Sequence, residues 1–141
     1  MAAADLNAIR ATIEGRLATE LASSPAVPVV FLNMAYEPTP GSSFVQCLVS
    51  FGAGEYLSQG GTTASDNRIV GLLLMNVFSA KGVGPGANLT IAKRVRDLYN
   101  RVNVSGVYFD APVGPEVLAS ASPEGFFQTQ VRVTFEFIEE L

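Results

Sequence analysis

From Arg68 to Asp110 the chain reads strand, turn, helix, strand, and no other stretch limits its possible folds so tightly. Ile69, Leu73, Met75 and Val77 form one alternating apolar set, and Val70, Leu72, Leu74 and Phe78 form the other. A strand that is apolar on both sets is covered on both faces. Ile69–Ser79 is therefore expected at the centre of a sheet, with helices on one side and a loop or a neighbouring subunit on the other. The glycine-rich turn Lys81-Gly82-Val83-Gly84-Pro85-Gly86-Ala87 follows. Asn88–Asn100 then has helical spacing, with Ile91, Ala92, Val95, Leu98 and Tyr99 facing in and Lys93, Arg94, Arg96 and Asp97 facing water. Val104–Phe109 reads as the next apolar strand.

The flanks add one helix and three strands. Leu6, Ile9, Ile13, Leu17 and Leu21 recur every three or four residues, behind Asp5 as N-cap and ahead of the stop Ser23-Ser24-Pro25. Core packing explains this stripe more simply than a partner groove. Val27–Leu32 is a short β-branched run whose Pro28 suits an edge strand. Asn33–Ser43 reads as loop, with Tyr36 as a lid over the core or a binding aromatic. Phe44–Phe51 reads as a strand, and Gly52–Asn67, rich in Gly, Ser and Thr, as a long loop or arm. Tyr56 and Leu57 are apolar groups on that arm, suited to a partner contact or to a loop packed on itself. In Phe127–Ile138 apolar residues alternate with Gln128, Gln130, Arg132, Thr134 and Glu136, the pattern of an antiparallel strand beside the core. The expected fold is α+β: a mixed, mainly antiparallel sheet of four to five strands, two helices packed on one face, and the order α-β-β-β-α-β-β. The 141 residues form a single domain, 1–141, with an arm at 52–67.

Gly82, Gly84 and Ala87 match the spacing of a dinucleotide fingerprint, with Asp110 downstream as the acid. That motif needs a tight turn from strand end to helix and free N–H groups aimed at the phosphates. Pro85 removes one donor, the Ser79–Ala87 link is long, and the successive βα units are missing. No Gly-Lys-Ser/Thr follows the glycines either. No cofactor is expected.

Composition removes other classes. A net charge of −4 argues against nucleic-acid binding, which needs a basic patch to displace counterions. The chain contains no histidine, and Cys47 is its only cysteine, so Ser–His and Cys–His pairs and the usual zinc sites cannot be built. A paired-carboxylate site among Asp110, Glu116 and Glu124 stays open, though acids in loops are usually only solvated. No enzyme is expected. The N-terminus has no signal-peptide pattern, and the apolar run at Leu72–Val77 is too short to span a bilayer, so a soluble product without membrane contact is expected. With 16% charged residues, part of the surface is a candidate for burial in an oligomer.

These landmarks, in order, resemble the tail terminator-like proteins of tailed bacteriophages. The resemblance rests on the opening helix and then Pro28, Val29, Asn33, Tyr36 and Pro38 before a strand. It continues with Arg68-Ile69-Val70-Gly71 opening a strand that runs into Gly82-Val83-Gly84-Pro85-Gly86-Ala87 and a helix. Gly114-Pro115, and Glu124-Gly125-Phe126-Phe127-Gln128 leading into a Val-x-Val-x-Phe strand, complete it.

The resemblance implies a structural virion protein at the head-proximal end of the tail, assembled in the host cytoplasm. It implies a homo-oligomeric ring, typically a hexamer, that caps the tail tube, stops its polymerisation and joins it to a head or neck connector protein. DNA would pass through the lumen without specific binding. A closed ring needs two different complementary patches on each subunit. The candidates are Tyr56, Leu57, Gln59, Asp66 and Arg68 on the arm, and Glu116 and Glu124 in the Pro112–Gly125 loop. The alternatives are a head-tail connector or tail tube protein and, from another class, a nucleotide-binding module on the Gly82–Ala87 turn.

Overall fold

The computed structural model describes residues 5–23, 25–39, 41–57, 66–118 and 125–140. Helix α1 spans Leu6–Ala22, where Asp5 caps the first turn by accepting a hydrogen bond from Ala8 N at 3.1 Å. The apolar stripe is buried at Ile13, Leu17 and Leu21, while Leu6 at its start stays exposed. The strands are β1 (Val29–Phe31), β2 (Phe44–Tyr56), β3 (Asp66–Ala80), β4 (Asn103–Val104), β5 (Val107–Phe109), β6 (Val113–Val117) and β7 (Phe126–Glu140). Helix α2 spans Gly86–Leu98, between β3 and β4.

These seven strands join one sheet in the order β1-β2-β3-β7-β5-β4, with β6 paired to β7. Among the described residues only β1 and β2 run parallel. β3 is central, antiparallel to β2 on one side and to β7 on the other along its whole length. β5 pairs with β7 at Phe135–Glu136, and β6 pairs with it between Thr129 and Arg132.

Among the described residues the sheet therefore has seven strands rather than four to five, for two physical reasons. Val104–Phe109 is broken by Ser105 and Gly106, both at positive φ (51° and 87°), so it folds as the hairpin β4–β5. Two successive left-handed residues make the tight turn that suits strand twist, and Asn103 Oδ1 accepts from Gly106 N at 3.0 Å. The expected Pro112–Gly125 loop contains β6, in which Gly114 (φ 103°) lets the chain press against β7. A Cβ there would stand 2.6 Å from Gln130 O.

β2 and β3 also run further than expected. Gly54, Glu55 and Tyr56 pair with Ile69, Arg68 and Asn67 beyond a bulge between Phe51 and Gly54. Leu57 N then donates to Asp66 O at 2.7 Å. Much of the segment read as loop is thus a paired hairpin, and residues 58–65 lie outside the described residues.

Both helices cover one face. Ile13, Leu17 and Leu21 of α1 and Ala92, Val95 and Tyr99 next door share a core with Val45, Cys47, Leu73, Met75, Val77, Val131 and Val133. Polar ties lock the helices together. Tyr99 Oη donates to Ile13 O at 2.6 Å, Arg16 donates to Leu98 O, and Arg94 donates to Glu20, Ser23 and Pro25 at the end of α1. At the start of α2, fully buried Asn88 donates to Val77 O, Ser79 Oγ and Phe127 O, and accepts from Thr129.

Candidate functional site

Among the described residues no helix covers the other face of the sheet, and its contents change along its length. At the end nearest the glycine turn, Phe44 stacks on Phe78 at 4.6 Å and meets Phe126 edge-on at 5.3 Å. Tyr36 packs over Phe44 at 5.1 Å, as a lid. Next comes a row of amides crossing three strands. Asn76 Nδ2 donates to Gln46 Oε1 and Gln130 Nε2 donates to Asn76 Oδ1, each at 3.0 Å. Leu48, Leu74 and Arg132 form the following register row, and Ser50, Leu72 and Thr134 the one after it.

The face ends in a groove of ≈ 660 Å³ whose lining includes Ser50, Gly52, Val70, Leu72 and Thr134. Arg68 closes it. Its guanidinium reaches across β3 to Glu55 on β2 (2.7 Å) and to Glu136 on β7 (3.1 Å), so one cation ties three strands. Its Nε is buried and has no hydrogen-bond partner among the described residues. Val70 and Ile138 stay exposed beside it.

The structure brings some of the sequence candidates together and separates others. Arg68 and Asp66 sit at the start of β3, opposite the end of β2, where Leu57 is half exposed. Tyr56 pairs with Asn67 through the backbone. Glu116 is on the same helix-free face but near its middle, where it forms an ion pair with Arg132 at 2.6 Å. Arg132 is level with Leu74, six residues along β3 from Arg68. Gln59 and Glu124 lie outside the described residues.

The chemistry open in the sequence meets a specific arrangement. Asp110 accepts from Thr134 Oγ1 at 2.6 Å and Glu116 is held by Arg132, so each acid has its own partner and the two do not form a pair. The glycine turn is exposed, Gly82 and Gly84 both have φ of 86°, and Pro85 occupies the N-cap of α2 without a side-chain cap. Burial pushes the Cys47 thiol up to about 12, far from a reactive thiolate.

Sequence reasoning missed Glu55 and Glu136 as partners of Arg68, and it missed the amide row. Asn76, a lone amide inside an apolar run, was the available signal for the row. No comparable signal marks Glu136, which meets Arg68 only through the β3–β7 register.

A family model described as phage tail terminator protein matches residues 8–133, nearly the whole described chain. The chain belongs to the phage tail terminator family. This terminator-family chain is thus a structural tail protein, a component of the phage virion tail whose role involves contact with other tail components. Its fold recurs in solved structures, of which 14 chains match. One of them has 17% sequence identity and a TM-score of 0.64, with 97% of this chain and 96% of that chain covered, which shows a shared fold. No curated protein matches it by sequence.

Proposed function

We propose that this tail protein is the terminator itself: a subunit of a closed ring, most simply a hexamer, that seats on the head-proximal end of the tail tube. There it stops tube polymerisation and offers its other side to a head or neck connector. The observation that carries this reading is the family match over residues 8–133. The molecule's surface supports it, because the side of the sheet away from the helices exposes Val70 and Ile138 beside an ion-paired arginine, groups suited to contact. The net charge of −4 suits a lumen that DNA crosses without adhering, since like charge discourages phosphate contacts.

The test is assembly with purified tube protein. Light scattering and negative-stain microscopy are expected to show rings, and tubes grown with the protein present are expected to be short and capped. Continuous cylinders formed by the protein alone would identify a tube protein instead. A protein that stays monomeric and leaves tube length unchanged would overturn the reading.

A further inference from the structure

We propose that the bare edge of β2, Val49–Glu55, is where a second copy of the chain adds its β4 edge, so that the sheet continues from one subunit to the next. This rests on the ring reading and names the contact that closes the ring.

The two borders of the sheet are unlike each other. β1 shields β2 only at Val45–Cys47, and among the described residues no strand lies against β2 beyond that. β1 is three residues long and preceded by Pro28, features that blunt an edge. The rest of β2, Val49-Ser50-Phe51-Gly52-Ala53-Gly54-Glu55, has no proline or lysine and one charge, at its end. Gly52, Ala53 and Gly54 are exposed and small, so an incoming backbone can approach closely. The bulge between Phe51 and Gly54 and the charge of Glu55 are the edge-protecting devices among the described residues there.

Level with that stretch the opposite border is β4, which among the described residues pairs only with β5; further along, β6 borders β7. Val102-Asn103-Val104 is likewise uncharged. An unpaired strand edge presents a row of N–H and C=O groups, and what satisfies such a row is another strand.

Level and direction decide which strand: Asn103 stands in the row of Tyr108, Glu136 and Val70, beside the bulge, whereas β6 stands in the rows that β1 largely covers. Each step from β2 to β3, β7, β5 and β4 is antiparallel, so after four reversals β4 runs the same way as β2. A rotation that carries one sheet into the next therefore sets β4 of one copy parallel to β2 of its neighbour. The two patches differ, which makes the contact head-to-tail, the kind that closes into a ring. Pairing β2 with β2 across a two-fold axis would be antiparallel and would stop at a dimer.

The experiment places Ala53→Cys and Asn103→Cys on the two borders of the full chain, with buried Cys47 left in place, and adds a short bismaleimide under ring-forming conditions. The double variant is expected to give a ladder of covalent oligomers on a denaturing gel. Each single variant is expected to stay monomeric, and an equal mixture of the two to give covalent dimer and nothing larger. Covalent dimer from Ala53→Cys alone would overturn the proposal in favour of two-fold pairing. Absence of the ladder while light scattering still shows rings would overturn the proposal and leave the ring reading standing. Absence of rings in the unsubstituted protein, alone and on tubes, would overturn both.

A second variant, Ala53→Pro, alters a bulge residue that has no register partner on β3. It is expected to keep the circular dichroism spectrum and melting temperature while losing ring mass. Unchanged ring mass would overturn the proposal.

Discussion

The ring of Phe135 fills the space in which a side chain at Gly71 would stand. A Cβ on Gly71 would lie 2.3 Å from Phe135 Cζ and 2.7 Å from Ser50 O. Gly71 pairs with Phe51 on β2 and Phe135 on β7, and the two rings meet edge-on at 6.0 Å. A glycine in mid-strand is normally a cost, and here the covering ring offsets it. Gly71→Ala is expected to destabilise by roughly 1–3 kcal/mol through overpacking. Urea unfolding should show a lower midpoint at an unchanged slope, and an unchanged midpoint would show that the ring shifts freely.

Asn88 is the second sensitive position. Replacing it with leucine removes a donor to Val77 O, Phe127 O and Ser79 Oγ and the acceptor of the Thr129 hydroxyl. A buried group left unpaired, as the Thr129 hydroxyl would be, costs about 1–3 kcal/mol. A thermal melt should place Asn88→Leu well below the parent. A melting temperature indistinguishable from the parent's would mean that water or a shifted helix takes over the amide's role.

Burial sets the alkaline stability. Desolvation raises the Cys47 thiol from 9.0 to about 12, and desolvation also raises Tyr99 above its usual value of 10.0. Between pH 9 and about 12 the unfolded thiol loses its proton while the folded one keeps it. The native state therefore binds more protons in that window, and stability falls as pH rises through it. Cys47→Ala is expected to flatten part of this slope in urea titrations at successive pH values. At mildly alkaline pH, Cys47 should react with a thiol reagent no faster than the protein opens.

The arm invites a direct excision. Because Leu57 N bonds Asp66 O, a two-residue Asn-Gly turn can replace residues 58–65 without disturbing the hairpin. The shortened protein is expected to keep its helix and sheet signal and to lose ring formation or tube capping. Full assembly by this variant would show that the arm tip makes no essential contact.

Arg68 offers a milder test. Its side chain and those of Glu55 and Glu136 are 41%, 58% and 39% exposed, so water screens both ion pairs. Arg68→Met is expected to cost at most about 1 kcal/mol at low salt, shrinking as salt is added. A large, salt-independent loss would point to packing of the arginine's aliphatic stem as the greater contributor.

How much the residues disclosed varied along the chain. The two apolar sets of Ile69–Ser79 placed β3 at the centre, and the alternation of Phe127–Ile138 gave β7, because both patterns come from burial that each strand carries in its own side chains. Asp5 and the leucine stripe likewise announced α1. The continuation of β2 through Gly52–Tyr56 was hidden, since glycine and alanine have little strand preference and the β3 register alone extends it. β6 was hidden behind Gly114 and Pro115, which read as loop until β7 lies beside them. For the contact surface, Arg68 was visible as a charge, but Glu136, 68 residues away, was not visible as its partner.

The turn from Lys81 to Ala87 stands wholly in solvent, and a Cβ added at Gly82, Gly84 or Gly86 would meet nothing within 4 Å. Because Asn88 anchors the start of α2 from the inside, the chain ahead of it can be lengthened without loosening the helix. The turn is thus a port for a foreign epitope, at the end of β3 remote from the arm. A gold-labelled antibody against such an insert would mark each subunit's position in intact particles and leave the arm free to make its contacts.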